Sequence, residues 1–513
     1  MLKQRKTLAL ERGRMYKKEP KGQLSFEDFY LPFGGHLNGD NRWIRLAAII
    51  PWEEFEEEYA KNFSSNGMGA PAKPFRMALG AELIKRKLDI TDEEVVEQIS
   101  ENPYPQYFIG MEGYRDEAPF DSSMMTHFRE RLTLEMINRV NERVIENEHK
   151  KKEQKETGQN GTAKGEIENN RTKVRGKLLL DASCIPQDIR YPTDLSLLNE
   201  VREKTERVID RPHEAGWKNR TKGSGKKPRS YRKKARKEYL AVAKQRKKSG
   251  KVLRRGLGKQ LGYVHRNLKT IEKQAKEVGL GVLSRQEYRN LLVCQEVFRQ
   301  QQEMYQNNKR RVEDRIVSIT QPHIRPIKRG KAGEETEFGS KLMISVVDGY
   351  VRIEKLAWEN YNEGTEFISS VESYKKRYGY YPESVHVDKL FLTKDNRKYC
   401  NERGIRISGP PLGRPCSDAE KSRAALKLEA QDARDRIPVE GKFGNCKRKY
   451  GLDRIFAKKK STSECEIAIG ILILNLDKPL CGYIFVVIFI SRYFGIPWVN
   501  EHGNTQNLQK RAA

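Results

Sequence analysis

The sequence lacks the marks of a disulfide-stapled or membrane-spanning protein. Its seven cysteines are scattered along 513 residues and no two form a Cys-x-x-Cys pair, which argues against a disulfide framework and a zinc ribbon. Met1–Glu19 is charged throughout, so no secretory signal is expected. The apolar run Tyr483–Ile490 falls short of the roughly 20 residues that a membrane helix needs. We therefore expect a cytoplasmic protein without a membrane partner, and a buried strand or helix at this run.

Acidic residues are also in short supply. Lys and Arg number 99 and Asp and Glu number 70, which leaves a formal net charge of +29. Such an excess favours a polyanionic partner, because each phosphate that a cation neutralises releases counterions. The length exceeds what one hydrophobic core usually holds, so several domains are expected. Composition thus indicates a multidomain protein that binds nucleic acid and associates with the nucleoid.

The first expected domain is all-α and covers residues 1–145. Apolar side chains recur at helical spacing over residues 79–88, and Thr91–Glu94 has the pattern of a capping box that starts the next helix. A further helix is expected to turn Arg129 and Arg131 outward. Short helices with basic outer faces are compatible with a helix-turn-helix-like DNA-binding domain. They are equally compatible with a plain helical bundle.

The rest of the chain is expected to be α/β. Residues 146–175 are charged and lack an apolar period, which is typical of a solvated linker. The next domain, residues 176–480, opens with a strand at Lys177–Ile185 and then changes to mostly helical sequence. We therefore expect a mixed sheet interrupted by a helical insertion at about residues 195–330, and a C-terminal tail at residues 481–513.

Strands and helices alternate after the expected insertion. The sequence predicts strands at Lys341–Val347 and Val351–Ala357, a helix at Phe367–Tyr378, a strand ending at Asp388, a helix at Lys394–Arg403, a strand at Ile405–Ser408 and helical sequence around Glu440.

The densest charge lies inside the expected insertion. Residues 218–259 contain 19 Lys or Arg and a single acid. Tyr231, Ala235, Tyr239 and Val242 interleave with these cations at helical spacing, so a helix would carry one apolar stripe with basic flanks. Charge runs are often solvated faces. We favour a helix that follows phosphates, because an idle surface has no need to concentrate self-repelling charge. The residues expected to bind DNA are Arg232, Lys233, Lys234, Arg236 and Lys237.

Three carboxylates stand where a metal-dependent nuclease would need them. Asp181 follows the apolar run Leu178–Leu180, and Asp388 follows Val385–Val387. An aspartate that ends a buried strand is presented at a sheet edge, where it can stay hydrated and hold a cation. A helix that carries Glu440 over that edge would complete the site. Two divalent cations held there could activate the incoming oxygen and neutralise the departing one in phosphodiester cleavage.

The residues around Glu440 also follow a helical spacing. At 100° per residue, Arg436 and Lys447 lie about 40° and about 20° from Glu440 around the helix axis. One face then offers a metal ligand flanked by two cations that could hold phosphates. Pro438 weakens the helix prediction, since proline is comfortable only in a first turn, and Arg436 could precede the helix.

Several of these assignments have alternatives. Asp188 or Asp194 could be the ligand in place of Asp181, since an aspartate after an apolar run is often a turn residue. The near-heptad run Tyr288–Tyr305 could form a hairpin arm or a dimer seam, with core packing as the favoured use.

These residues resemble a known family. The stretches Leu178–Cys184, Asp188–Glu200, Val439–Gly444 and Lys447–Leu452 are similar to the DDE transposases of bacterial insertion sequences, and the resemblance covers roughly residues 35–475. Members of that family often show Tyr, two residues, Arg, three residues, Glu, six residues and Lys around the last acid. The tyrosine position of this pattern holds Ala433 here.

The resemblance implies an RNase H-like catalytic domain in which Asp181, Asp388 and Glu440 bind Mg²⁺, with Mn²⁺ as a substitute. It implies cleavage of double-stranded DNA at terminal inverted repeats and transfer of the 3′-hydroxyl to target DNA by a homodimer assembled on DNA. In addition to Arg436 and Lys447, Arg448 is expected to contact DNA. Two other functions fit the same residues: a catalytically inactive DNA-binding relic or repressor, and an RNase H-like endonuclease without strand transfer. Convergence of the three acids would favour an enzyme.

Overall fold

The structure is a computed structural model of the chain. It describes residues 24–32, 34–63, 71–159, 176–212, 214, 228–328, 336–410 and 419–494. The predicted mixed α/β class is confirmed. Residues 160–175, which were expected to belong to the linker, and residues 218–227 of the basic segment lie outside the described residues.

One mixed sheet lies at the centre of the described chain. Its strands are β1 (Lys177–Pro186), β2 (Arg325–Lys328), β3 (Thr336–Val347), β4 (Tyr350–Ala357), β5 (Ser384–His386) and β6 (Arg406–Ile407). β1 pairs antiparallel with β3 on one side and parallel with β5 on the other. β6 continues the sheet parallel to β5, while β2 and β4 both pair antiparallel with β3. The strands predicted around β1, β3, β4, β5 and β6 are confirmed to within a few residues, whereas β2 was not predicted.

Helices surround this sheet. Those before it are α1 (Arg42–Ile49), α2 (Trp52–Ala60), α3 (Phe75–Leu88), α4 (Asp92–Glu101), α5 (Pro103–Phe108), α6 (Met124–Arg131) and α7 (Leu134–Gln159). Those after β1 are α8 (Asp194–Pro212), α9 (Arg232–Ala243), α10 (Gly250–Val278), α11 (Arg285–Gln306), α12 (Phe367–Tyr378), α13 (Lys394–Glu402), α14 (Ala419–Lys449) and α15 (Lys460–Phe494). The predicted capping box at α4 is confirmed, because Thr91 and Glu94 bond to each other's backbone N–H.

One hydrophobic core joins the N-terminal helices to the sheet. Leu46 of α1, Leu83 of α3 and Val140 of α7 belong to the same buried cluster as Leu179 of β1 and Leu472 of α15. α15 contacts α3, α6, α7 and β4, so it is the central helix of this core. The domain division at residue 145 stays a prediction, but the packing across it is continuous.

The other face of the sheet has its own core. Leu178 and Leu180 of β1 and Val385 of β5 pack there with Phe367 of α12 and Tyr399 of α13. The sheet is therefore covered on both faces, as a sheet with parallel strands requires.

The insertion after β1 is helical, as predicted, and has separate small cores between α8, α10 and α11. Leu291 and Cys294 of α11 are buried in them, which confirms core packing for the near-heptad run. The sheet resumes at Arg325–Lys328, somewhat earlier than the predicted end of the insertion at residue 330.

Two predictions about chain segments need correction. Residues 146–159, predicted as linker, continue helix α7, because polar helix formers can extend a helix whose earlier turns are packed. Arg129, predicted to face outward, is buried and donates to Asp92 Oδ2 at 2.7 Å and Glu82 Oε1 at 3.0 Å. Helical spacing alone does not reveal a buried acid on a neighbouring helix, which is what draws this arginine inward.

The apolar run near the C-terminal end is helical. α15 continues through Pro479 to Phe494, so residues 483–490 form part of a helix, one of the two forms that the sequence predicted. Within the described part of the chain, we find no helix whose length and apolar character would suffice to cross a bilayer. Residues 495–513 of the predicted tail lie outside the described residues.

Candidate functional site

The sequence suggested that Asp181 ends a strand. In the structure, Asp181 lies in the middle of β1. Antiparallel pairing with β3, in which Asp181 stands opposite Ile344, carries the strand on to Pro186. Alternate residues of a strand share a face, so Asp181 lies on the same face as Leu179. Leu179 packs in the core that contains Val439 of α14. The Asp181 carboxylate therefore lies on the face of the sheet that α14 covers.

Asp388 comes level with Asp181 on the neighbouring parallel strand. Leu179 of β1 pairs with His386 of β5, and each aspartate is two residues beyond that pair. Neighbouring strands lie about 4.8 Å apart, so the register brings the two acids close together. Asp388 also begins the 3₁₀ turn Lys389–Phe391, where its Oδ1 accepts the Lys389 N–H at 2.7 Å.

α14 brings Glu440 to the two aspartates through Arg436. The Arg436 guanidinium donates from Nη2 to Glu440 Oε1 at 3.0 Å and from Nη1 to Asp388 Oδ1 at 3.3 Å. It is also near enough to Asp181 for its charge to lower the pKa of that carboxyl. Pro438 does not end the helix, because α14 runs unbroken over Ala419–Lys449. The three predicted acids thus gather around one arginine.

Two ion pairs, formed by residues of the turn that leads into this arginine, fix α14 on the sheet. Asp432 Oδ2 accepts from Arg406 of β6 at 2.8 Å, and Asp435 Oδ2 accepts from Lys177 of β1 at 2.7 Å. Because they join the helix to strands on both sides of β5, they set the height at which Glu440 meets the strand ends.

The C-terminal part of α14 presents two further predicted residues. Lys447 donates from Nζ to Ser183 Oγ at 3.1 Å, on the β1 face that also holds Asp181. Arg448 is exposed and donates to the carbonyl of Gly444 in its own helix. Lys447 therefore lies at the sheet beside the acids, whereas Arg448 faces solvent.

Each of the three acids has one carboxylate oxygen without a hydrogen bond among the described residues. Asp181 Oδ1 accepts the N–H of Ala182 at 2.8 Å, Asp388 Oδ1 accepts from Lys389 and Arg436, and Glu440 Oε1 accepts from Arg436. Their second oxygens, Oδ2, Oδ2 and Oε2, have no hydrogen bond to any described residue. Carboxylate oxygens are the donors that a hard divalent cation prefers. Among the described residues, the ligand atoms of these three acids do not all lie within 4.8 Å of one another, so an ion would have to draw the side chains together.

The electrostatics of Asp181 also favour a cation. Burial raises the pKa of Asp181 to about 6; the N–H of Ala182 and the charge of Arg436 oppose this, and the charges of Glu363 and Asp388 add to it. Burial would lower the pKa of Arg436, but its bond to Glu440 and the nearby acids raise it overall. A divalent ion beside Asp181 would offset the cost of its ionised form, so these residues fit Mg²⁺.

A different group of possible ligands lies next to this site. Within the described residues, ligand atoms of His386, Asp432 and Asp435 lie within 4.8 Å of one another. Both carboxylates are already paired, with Arg406 and Lys177. Since the two cations leave this group close to neutral, we assign it to holding α14 against β5 and not to binding a metal.

The alternative ligands named from the sequence are engaged elsewhere. Asp188 forms an ion pair with Arg454. Asp194 starts α8 and accepts from Arg315 at 2.5 Å and from Gln301 at 2.8 Å, both within the insertion. Among the described residues, the partners of these two aspartates do not include Asp388 or Glu440.

The basic residues of α9 divide into two groups. Arg232 donates to Asp210 Oδ1 at 2.6 Å and to the carbonyl of Glu206 at 2.7 Å, so it holds α9 on α8. Of the predicted apolar stripe, Ala235 is fully buried, whereas Tyr231 precedes the helix and is exposed. The cations that are exposed and form no ion pair with a described acid are Lys233, Lys234, Arg236 and Lys237.

Comparison with known proteins now adds to this geometry. The family model described as Transposase DDE domain matches residues 385–477, which contain Asp388 and Glu440. A second model, described as Transposase domain (DUF772), matches residues 32–131. The chain belongs to the insertion-sequence DDE transposases.

The two matched stretches of this transposase meet in its shared core. The first covers helices α1–α6, and the second runs from β5 through α14 into α15. An uncharacterized Rhizobium meliloti protein, ORF8 of the nfe locus, is 32% identical over 161 residues, which make up 31% of this chain and 69% of that protein. No solved structure matches the chain significantly.

Proposed function

We propose that this transposase cuts double-stranded DNA at the terminal inverted repeats of its element and joins the freed 3′-hydroxyl to target DNA. The observation that carries the proposal is the gathering of Asp181, Asp388 and Glu440 around Arg436. Family membership supports transposition, and the open oxygens of the three acids support metal-dependent phosphodiester chemistry.

Asp181, Asp388 and Glu440 are proposed as the ligands of Mg²⁺, with Mn²⁺ as a substitute. When bound, the ion would supply Lewis-acid stabilisation of charge on the phosphate and its attacking and departing oxygens. Binding of an ion at Asp181 is expected to depend on pH, because burial raises the pKa of Asp181 to about 6. It must lose its proton before it can act as a ligand.

Arg436 and Lys447 are proposed to hold the phosphate next to these acids. The planar guanidinium of Arg436 already spans two carboxylates and can turn two donors towards a phosphate. Lys447 adds a point charge at the sheet face through its place beside Ser183. Arg448, exposed on the next turn, would contact the DNA backbone further from the reacting phosphate.

The sheet supports an RNase H-like assignment for the catalytic domain. Its central strand, β1, pairs antiparallel with β3 and parallel with β5, and β5 pairs in turn with the parallel strand β6. The acids come from β1, from the end of β5 and from a helix that crosses them, which is the order expected from the resemblance.

The DNA path is proposed to continue over α9. Four cations of this helix are exposed and have no acidic partner among the described residues: Lys233, Lys234, Arg236 and Lys237. Each phosphate that they neutralise would release counterions and so favour binding. Arg232 is excluded from this role by its bonds to α8. A homodimer assembled on DNA would let one basic surface hold each element end.

A cleavage assay tests the proposal. Purified protein is incubated with labelled element ends, with and without Mg²⁺, and the products are resolved on a denaturing gel. We expect Mg²⁺-dependent nicking that Glu440→Gln abolishes without loss of end binding, because the change removes a ligand charge and adds no bulk. Glu429→Gln, an exposed acid on the same helix, is the matched control and should nick normally.

The products also separate this function from its alternatives. Nicking without any joined product would indicate an endonuclease, and end binding without nicking would indicate a DNA-binding relic or repressor. Unaltered nicking by Glu440→Gln would rule out Glu440 as a ligand.

A further inference from the structure

The helical insertion contains a cavity that the proposed chemistry does not use. Its volume is about 700 Å³, and it lies between α8, α10, α11 and the segment that follows α11. Sites for small molecules usually have volumes of roughly 300 to 1,000 Å³. The described lining residues all fall within residues 194–315, so the cavity is separate from the three acids of the sheet and α14.

The floor of this cavity is apolar. Three helices contribute buried side chains to it: Leu198 of α8, Leu261 of α10 and Met304 of α11. Leu253 and Leu257, both half-buried on α10, extend this floor towards the edge of the cavity. The floor can therefore receive an apolar or aromatic group.

A flat wall stands beside the floor. The Arg254 guanidinium carbon lies 4.4 Å from the centroid of the Tyr305 ring, and Arg254 also donates to the carbonyl of Tyr305 and to Asn308 Oδ1, each at 3.0 Å. A Cβ atom at Gly258 would lie 2.6 Å from Tyr305 Oη, so glycine at this position lets the ring lie against α10. Aromatic rings and guanidinium groups are the planes on which unpaired bases stack.

Cations surround the floor and the wall. Four exposed lining residues have no ion pair with a described acid: Lys251, Arg254, Lys309 and Arg310. Asp194 is the one acid among the described lining residues, and Arg315 already pairs with it. The Nε of Arg315 is buried and has no hydrogen-bond partner among the described residues. The cavity therefore favours a ligand that carries negative charge and a hydrogen-bond acceptor.

The cavity lies next to the basic surface of α9. Residues 244–249 connect α9 to α10 and present four exposed cations: Lys244, Arg246, Lys247 and Lys248. The two residues that follow this connection, Gly250 and Lys251, line the cavity. The exposed cations of α9 thus continue along the chain to the edge of the cavity, where they would attract a polyanion.

We propose that this cavity binds a nucleoside phosphate, with the base on the apolar floor beside Arg254 and Tyr305 and the phosphate on the surrounding cations. The basic connection from α9 favours an unpaired nucleotide of bound DNA as the source. A base inside a duplex is covered by its stacked neighbours, so it must leave the stack to enter. The DNA source rests on the proposed function, whereas binding of a free nucleotide would not.

Binding of two labelled duplexes tests the proposal without any need for cleavage. One duplex is fully paired, and the other has the same sequence with one extra, unpaired adenine. Their affinities for the full chain are measured by fluorescence anisotropy in EDTA. We expect the duplex with the unpaired adenine to bind at least about fivefold more tightly, the effect of stacking one base on a protein side chain. Free deoxyadenosine monophosphate should compete for the cavity and remove this preference.

Two variants connect the preference to the cavity. Leu257→Trp fills the floor without changing the charge, and Tyr305→Leu removes the flat wall but keeps an apolar side chain. Each should abolish the preference, which is a ratio of two affinities and so does not respond to a general change in DNA binding. Leu292→Trp is the matched control, since Leu292 is 49% exposed on α11 and does not line the cavity; it should keep the preference. If Leu257→Trp does not fold, Tyr305→Leu decides.

Calorimetry with deoxyadenosine monophosphate distinguishes the two sources. If the free nucleotide binds the wild type and not Tyr305→Leu, while the two duplexes bind equally, the ligand is a free nucleotide. If the free nucleotide does not bind and the duplexes bind equally, or if Tyr305→Leu keeps the preference, the proposal is wrong. If neither duplex binds at all, the proposed function fails, and the calorimetry still decides whether the cavity takes a nucleotide.

Discussion

The N-terminal helices and the helical insertion differ in where their charged side chains lie. Residues 42–108 contain 12 acids and 8 cations. Two of these cations, Lys85 and Arg86, form ion pairs inside the fold, with Asp92 at 2.6 Å and with Glu466 at 2.5 Å. Helix α9 of the insertion has five cations and one acid, and four of those cations are exposed without an acidic partner among the described residues.

The two regions also differ in how they are packed. The N-terminal helices share one core with the sheet and α15, whereas the insertion is held by small clusters between its own helices. Charge in the first region therefore stabilises the fold, and charge in the second is available to a partner. DNA binding by the N-terminal helices stays a prediction, and the surplus of acids there makes the insertion the stronger candidate.

The largest effect is expected from breaking a buried ion pair of the shared core. Glu466 of α15 pairs with Arg86 and lies 3.8 Å from Arg129, and its side chain is 5% exposed. Glu466→Ala leaves both arginines buried with reduced compensation. We expect it to lower the free energy of unfolding by about 3 to 5 kcal/mol, measured by urea denaturation.

An exposed pair in the insertion supplies the matched control. Glu272 and Lys276 of α10 form an ion pair at 2.9 Å with exposed side chains. Glu272→Ala should leave the free energy of unfolding nearly unchanged, because the pair is exposed to solvent. If both variants lost the same free energy of unfolding, the claim that charged side chains stabilise the N-terminal helices and not the insertion would be wrong.

Replacing exposed cations of α9 is expected to have a smaller effect, on DNA affinity and not on stability. Replacing Lys233, Arg236 and Lys237 with Gln should make the dependence of DNA affinity on salt shallower, by about 0.9 in logarithmic slope for each phosphate that the protein no longer neutralises. Fluorescence anisotropy at several salt concentrations measures this slope.

Three cations of the N-terminal region provide the comparison. Replacing Arg42, Lys61 and Lys73 with Gln removes the same number of charges and should leave the salt slope unchanged. If the N-terminal variant reduces the salt dependence of DNA affinity as much as the α9 variant does, the N-terminal helices also bind DNA. The contrast between the two regions would then be wrong.

Local patterns in the sequence were sufficient to predict most strands of the central sheet. The helix predicted at Phe367–Tyr378 has those bounds in the structure, because its apolar period and its glycine end are local signals. Asp181 and Asp388 could be singled out because each follows a run of apolar strand residues. The two aspartates lie side by side because of the register between β1 and β5, which could not be predicted from the sequence.

Interactions between distant residues account for what was missed. Arg129 and Arg232 were expected to be free, but each meets an acid on another helix. Pro438 was expected to start or break a helix, whereas the sheet and α15 support α14 on both sides of it.

Mg²⁺-induced stabilisation tests the central claim, that Asp181, Asp388 and Glu440 form one cation site. A ligand that binds the folded chain raises its unfolding temperature. The pKa of Asp181 is raised from 3.8 to about 6. Without Mg²⁺, ionising this buried acid lowers stability as the pH rises through that window. Protons compete with Mg²⁺ below pH 6, so the Mg²⁺-induced shift should grow as the pH rises through 6.

The decisive measurement is the unfolding temperature at pH 7.5, with Mg²⁺ and with EDTA, of the wild type and of Asp181→Asn, Asp388→Asn, Glu440→Gln and the control Glu429→Gln. We predict that Mg²⁺ raises the unfolding temperature of the wild type and of Glu429→Gln and that each of the other three changes removes or sharply reduces this rise. A full Mg²⁺-induced rise in any of those three variants would contradict a shared cation site.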